Sequence, residues 1–158
     1  QSNVVDCVGY QMRFHPSLEG FEVSDTLHIV REERTFDSLW AMICDCGVHD
    51  IDLAIRLAGA VSRLTEVIVE GTRIDVSAMT VRGVRVHWQW RVGTQVTRLL
   101  ESGRHAIDLT QVSQDLLSNQ WDAVQSRCAD RPSAVAGLRD AYSIARVLDA
   151  LRSRVQIA

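Results

Sequence analysis

The strongest constraint on the fold is a series of strand-like segments across residues 61–109. A turn signal recurs about every ten residues along this stretch, at Gly71, Gly83, Gly93 and Gly103. Alternating apolar and polar residues between closely spaced turns are typical of antiparallel strands. The series therefore predicts an antiparallel meander, in which each strand pairs with the next one along the chain.

The alternation is clearest in the segment VRVHWQWRV, residues 84–92. Successive side chains of a strand point to opposite faces of the sheet. We expect the core on the side of Val84, Val86, Trp88, Trp90 and Val92. The opposite side would meet solvent or a second subunit through Arg85, His87, Gln89 and Arg91.

Helical periodicity precedes and follows these strands. Residues 37–58 carry two apolar sets at three- and four-residue steps, and the sets are offset by five residues across Gly47, so we expect a kink or break there. Gly59 would end this helix. Further helices are predicted at 116–128 and 133–153, the latter capped by Ser133. Further extended segments are predicted at 4–10, 21–31 and 155–158. This order predicts an α+β fold with an open, largely antiparallel sheet and helices packed on one face.

Composition excludes several classes of protein. The 158 residues suit one domain, and the net charge of −3 comes with 17 scattered basic residues, which argues against nucleic acid as a partner. All 17 are arginine, so no lysine is available as an acid, a base or a Schiff-base former. No apolar run has the length of a membrane span. Four cysteines without paired CxxC spacing favour reduced thiols and a cytoplasmic location.

Two motifs carry candidate chemistry. In CDCGVHDID, Asp45, His49 and Asp52 would share one face of a helix, where a carboxylate beside an imidazole can support proton transfer. An ordinary polar helix surface is an equally good interpretation, and no complete metal site is expected. In GYQMRFHP, Arg13 could bind a carboxylate, a phosphate or hydroxyls, although on the residues alone a solvent-exposed arginine is the better interpretation.

Together, GYQMRFHP and DCGVHDIDLAIRLAG resemble the Gfo/Idh/MocA oxidoreductases, and the ending RPSAVAGLRDAYSIARVLDALRS is similar to the closing helix of that family. The resemblance implies an NAD(P)-binding Rossmann domain followed by a substrate-binding domain with a large open sheet that packs against another subunit. It implies that Asp45 and His49 are catalytic and bind substrate, with His49 in contact with the reacting hydroxyl. Arg13 and Asp52 match further motif positions and are included as predicted substrate-binding residues.

The sequence also departs from the family pattern. It contains no GxGxxG motif and no lysine, so no cofactor-binding residues are predicted here. We expect residues 1–3 to be a tag remnant and 4–158 to be the C-terminal domain. NAD or NADP would bind elsewhere in the full-length enzyme or on a separate Rossmann-domain chain.

The expected function is substrate binding and homo-oligomerisation in an oxidoreductase acting on a sugar or polyol hydroxyl, without hydride transfer by this chain alone. The alternatives are a stand-alone binding or assembly subunit, and a non-redox acid–base enzyme, an isomerase or dehydratase, that uses Asp45 and His49. An interaction domain that has lost its site is the third possibility.

Overall fold

The protein is described by a computed structural model at residues 10–110, 116–129 and 137–155. Six strands form one sheet in the order β2-β3-β4-β1-β5-β6. The strands are β1 Thr26–Glu33, β2 Val61–Glu70, β3 Arg73–Thr80, β4 Arg85–Val92, β5 Thr97–Ser102 and β6 His105–Asp108.

Strand β1 lies at the centre of the sheet. It runs parallel to β4, with Thr26 opposite Arg85, and antiparallel to β5, with Ile29 opposite Leu100. The remaining pairings, β2–β3, β3–β4 and β5–β6, are antiparallel. The largely antiparallel sheet is therefore confirmed. The continuous meander is wrong after β4, because β1 occupies the edge of β4 that β5 was expected to take.

The helices follow the predicted order. The long first helix consists of α1 Leu39–Met42, a π-helical segment Ile43–Gly47 and α2 Val48–Ala58. The irregularity predicted near Gly47 is thus confirmed as a π-helical segment. Helix α2 ends as predicted at Gly59, whose φ of +95° is readily adopted by glycine. Two further helices are α3 Leu116–Cys128 and α4 Leu138–Arg154, and two 3₁₀ turns cover Gln11–Phe14 and Pro16–Leu18.

The core lies between the helices and one face of the sheet. Trp88 and Trp90 are almost fully buried there, with ring centroids 5.8 Å apart, as the alternation in β4 predicts. Gly47 allows the helix to approach this layer closely. A Cβ at that position would lie 3.3 Å from Ile43 Cγ2 and 3.4 Å from Trp90 Cε2.

The opposite face of the sheet is polar, also as predicted. His87 lies there between two neighbours: its Nδ1 is 2.9 Å from Ser77 Oγ, and its ring centroid is 4.7 Å from that of His28. Burial lowers the pKa of His87, and the neighbouring His28 and Arg85 lower it further. The use of this face, including Arg85, Gln89 and Arg91, as a subunit interface remains a prediction.

Some predicted elements fall outside the described residues. They include the strand over 4–9, the cap at Ser133 and the end of the chain after Val155. Among the described cysteines, Cys44, Cys46 and Cys128 are free thiols. Within the described ranges, no helix combines the length and apolar character needed to cross a membrane.

Candidate functional site

A cavity of about 200 Å³ lies beside the π-helical segment. Asp45 and His49, which the sequence placed on one helix face, both line it. Asp45 belongs to the π-helical segment and is exposed, whereas His49 lies in the first turn of α2 and is half-buried. The remaining lining residues are Met12, Arg31, Cys46 and Arg98.

The surroundings of His49 favour its neutral form. Its Nδ1 is buried and has no hydrogen-bond partner among the described residues, and its ring meets the Tyr10 ring edge-on at 6.0 Å. Burial, followed by the positive charge of Arg31, lowers the pKa of His49. A neutral imidazole can accept a proton from a hydroxyl, which suits His49 to act as a general base.

Arg13 and Asp52 form a separate, buried ion pair. Arg13 Nε donates to Asp52 Oδ2 at 2.7 Å, a second guanidinium nitrogen contacts Asp52 Oδ1, and Asp140 Oδ2 lies 3.2 Å from Arg13 Nη2. Burial raises the pKa of Asp52, and the guanidinium opposes that shift. Neither residue lines the cavity. Their predicted contact with substrate remains untested, and this geometry gives them the role of joining the first 3₁₀ turn to α2 and α4.

Asp50 anchors a second charged cluster, which the sequence reasoning missed. It accepts from Arg31 Nε at 2.7 Å, from Arg31 Nη2 at 2.6 Å and from Trp90 Nε1 at 2.9 Å. Both Asp50 and Arg31 are almost fully buried. The ion pair therefore fixes α2 against the centre of the sheet, next to the cavity.

Glu33 extends this cluster to Arg98, which also lines the cavity. Its Oε1 accepts from Arg31 Nη1 at 2.9 Å and from Arg98 Nε at 3.0 Å, and Arg98 Nη2 lies 2.9 Å from the same oxygen in an ion pair. The alternation in β1 could have indicated this charged cluster, because four alternate residues share one face of the strand: Leu27, Ile29, Arg31 and Glu33. Charged residues continuing a buried apolar face indicate an internal ion pair or a site.

Cys46 completes the lining without adding a charge. Burial raises the pKa of its thiol to about 11, so the thiol is protonated at neutral pH. The described residues contain no cluster of three or more histidine, cysteine, aspartate or glutamate side chains suited to one metal ion.

The described residues do not fit a dinucleotide. The Rossmann pyrophosphate site is a glycine-rich turn between a strand and a helix in a parallel sheet. Here the connection from β1 to α1 is RTFDS, residues 34–38, without glycine, and the sheet has a single parallel pairing.

Comparison with known proteins relates this fold to solved enzymes. No protein-family profile and no curated protein match by sequence. A UDP-N-acetylglucosamine 3-dehydrogenase from Acidithiobacillus ferrooxidans matches with a TM-score of 0.71 at 16% identity, over 94% of this chain and 61% of that one. The WlbA dehydrogenase from Thermus thermophilus, in complex with NAD and UDP-GlcNAcA, matches with a TM-score of 0.70 at 17% identity, over 96% of this chain and 56% of its own. A putative myo-inositol dehydrogenase from Sinorhizobium meliloti matches with a TM-score of 0.66 at 13% identity, over 96% and 64%.

These neighbours are sugar dehydrogenases of the Gfo/Idh/MocA type, the family that the motifs resemble. This chain spans about 60% of their length. At such low identity the match establishes a shared fold. The chain therefore shares the fold of part of these dehydrogenases.

Proposed function

We propose that this chain, with its Gfo/Idh/MocA-type fold, is the substrate-binding domain of an NAD(P)-dependent oxidoreductase that acts on a hydroxyl of a sugar or polyol. In this proposal residues 4–158 form the domain, and the dinucleotide binds to a Rossmann domain, either on the same polypeptide or on a separate chain. The fold of the neighbours supports the enzyme class, and the cavity supports the site.

The single observation that carries the proposal is the placement of Asp45 and His49 on one cavity. A carboxylate accepts hydrogen bonds from hydroxyls, and a neutral imidazole can bind a hydroxyl and then take its proton. Asp45 would orient the substrate at the exposed rim. His49, with a lowered pKa, would accept the proton of the reacting hydroxyl.

Ligand binding tests this proposal on the chain itself. We expect myo-inositol or UDP-N-acetylglucosamine, chosen after the neighbours' substrates, to shift the NMR signals of His49 and to raise the melting temperature. His49→Ala and Asp45→Ala should each weaken binding at least tenfold. His105→Ala is the matched control, because His105 is exposed and does not line the cavity.

Equal binding by the His49→Ala, Asp45→Ala and wild-type chains would overturn the site assignment. We also expect no reduction of NAD⁺ or NADP⁺ by this chain alone with any of these ligands. A cytoplasmic homo-oligomer assembled through the polar face of the sheet belongs to the same proposal, and sedimentation of the purified chain would measure its subunit number.

A non-redox acid–base enzyme is the second candidate. The observation that favours it is that Asp45 and the neutral His49 share a cavity within this chain, so proton transfer needs no other domain. An isomerase or dehydratase would incorporate deuterium from D₂O into a sugar ligand without any dinucleotide. Incorporation that disappears in His49→Ala would favour this candidate over the dehydrogenase domain.

A further inference from the structure

Arg98 lines the cavity with part of its hydrogen-bonding capacity unused. Its side chain is 31% exposed and lines the cavity from β5. Its Nε donates to Glu33 Oε1 and its Nη2 lies 2.9 Å from the same oxygen in an ion pair, whereas Nη1 makes no hydrogen bond within the described residues. One edge of the guanidinium is therefore available to a ligand.

The position of Arg98 is fixed by its neighbours. Glu33, which forms the ion pair with Arg98, is buried and is also bound by Arg31. Arg31 is in turn held by both carboxylate oxygens of Asp50. A guanidinium held in place before binding loses little conformational freedom when a ligand arrives, so its contacts contribute more to affinity.

The charges around the cavity define an orientation for the ligand. Two guanidinium groups, Arg31 and Arg98, are balanced by Asp50 and Glu33, so this inner wall carries no surplus negative charge. The exposed carboxylate of Asp45 also lines the cavity. An anionic group in the cavity would therefore lie at the unused edge of Arg98 and away from Asp45, whereas Asp45 and His49 could accept hydrogen bonds from hydroxyls.

The geometry points to a sugar acid as the ligand of this site, with Arg98 binding its carboxylate and Asp45 and His49 binding its hydroxyls. The cavity of about 200 Å³ is below the range of drug-sized ligands and suits one sugar ring. A carboxylate matches the planar edge of a guanidinium. This inference rests on the proposed function, because it concerns the same cavity.

The test compares two ligands that differ at one carbon. Glucuronate and glucose share a ring and differ in a carboxylate in place of a hydroxymethyl group, and both are titrated into the intact chain by calorimetry. We expect glucuronate to bind at least tenfold tighter. Arg98→Met should remove this preference, so that glucuronate and glucose bind to the variant with equal affinity.

Two further variants keep the test conclusive. Arg91→Met is the matched control, because Arg91 lies in β4 on the face of the sheet that points away from the cavity. This variant should retain the full preference for glucuronate. If Arg98→Met does not fold, as judged by circular dichroism, Arg98→Lys replaces it. That variant keeps the charge but loses the planar fork, so the preference should fall at least threefold.

The outcomes separate this inference from the proposed function. Equal affinities for glucuronate and glucose, both lost in His49→Ala, would overturn the role of Arg98 and leave the sugar site standing. Tighter binding of glucose 6-phosphate than of glucuronate would overturn the carboxylate in favour of a phosphate. Failure of every sugar to bind, with His49→Ala indistinguishable from wild type, would overturn the proposed function itself.

Discussion

The helix that carries the candidate site holds two kinds of polar side chain, and their surroundings differ. Asp50 and Asp52 are buried and bound by arginines from β1 and from the first 3₁₀ turn. Asp45 and His49 reach a cavity, and His49 Nδ1 has no partner in the described structure. The motif HDID thus places two structural carboxylates, Asp50 and Asp52, beside a candidate catalytic residue, His49. The strand or turn that faces each side chain determines whether it forms a buried ion pair or lines the cavity.

The largest expected effect is on the buried pair. Asp50→Ala leaves Arg31 without its main counter-charge and Trp90 Nε1 without its acceptor, so we expect a loss of about 3–5 kcal/mol in the free energy of unfolding. Urea denaturation measures it. Asp45→Ala, on the exposed side, should change the same quantity by less than about 0.5 kcal/mol. Equal losses of stability in the two variants would contradict the assignment of Asp50 to the structural ion pair and of Asp45 to the candidate site.

A smaller loss is expected at the second ion pair. Arg13→Met leaves Asp52 buried without its guanidinium, but Asp52 can then become protonated, so we expect about 2–3 kcal/mol. Burial already raises the pKa of Asp52, and removal of Arg13 raises it further. The loss should therefore shrink as the pH is lowered towards 4. A loss that is constant from pH 7 to pH 4 would contradict a buried, ionisable Asp52.

The smallest effect is the pH dependence contributed by His49. Burial lowers its pKa from 6.5 in the folded chain, so the unfolded chain binds more protons in the interval between the two values. The stabilisation is fully present above pH 6.5 and is lost as the pH falls through that interval. In unfolding measurements from pH 5 to 8, His49→Gln should therefore flatten the curve. A wild-type curve as flat as that of the variant would show that His49 titrates normally.

Local patterns predicted the elements of this fold well, and long-range pairing was the part they missed. The alternation in β4 correctly buried Trp88 and Trp90, and the offset across Gly47 correctly located the helix irregularity. The position of β1 could not be read in the same way. Strand pairing depends on which edges remain open after the helix has crossed the sheet, and no local period encodes that.

The candidate site was predicted in part for the same reason. Helical spacing joined Asp45 to His49, since both belong to one helix. It also grouped Asp52 with them, although Asp52 turns towards Arg13. Arg98 lies in β5, far from the helix in the sequence. It lines the cavity because β1 and β5 pair in a register that places Arg31 opposite Arg98. That register exists only in the assembled sheet.

The central position of β1 has a kinetic consequence. The three-stranded unit β2–β3–β4 and the hairpin β5–β6 each join segments that are close in the chain. By contrast, β1 pairs with β4, and the first helix and two strands lie between them in the sequence. Contacts of large sequence separation slow folding, because the loop must close before they form. These two local units can form early, and the docking of β1 between them would then limit the folding rate. Substitutions at Ile29 should therefore slow refolding more than equally destabilising substitutions at Ile74 in β3.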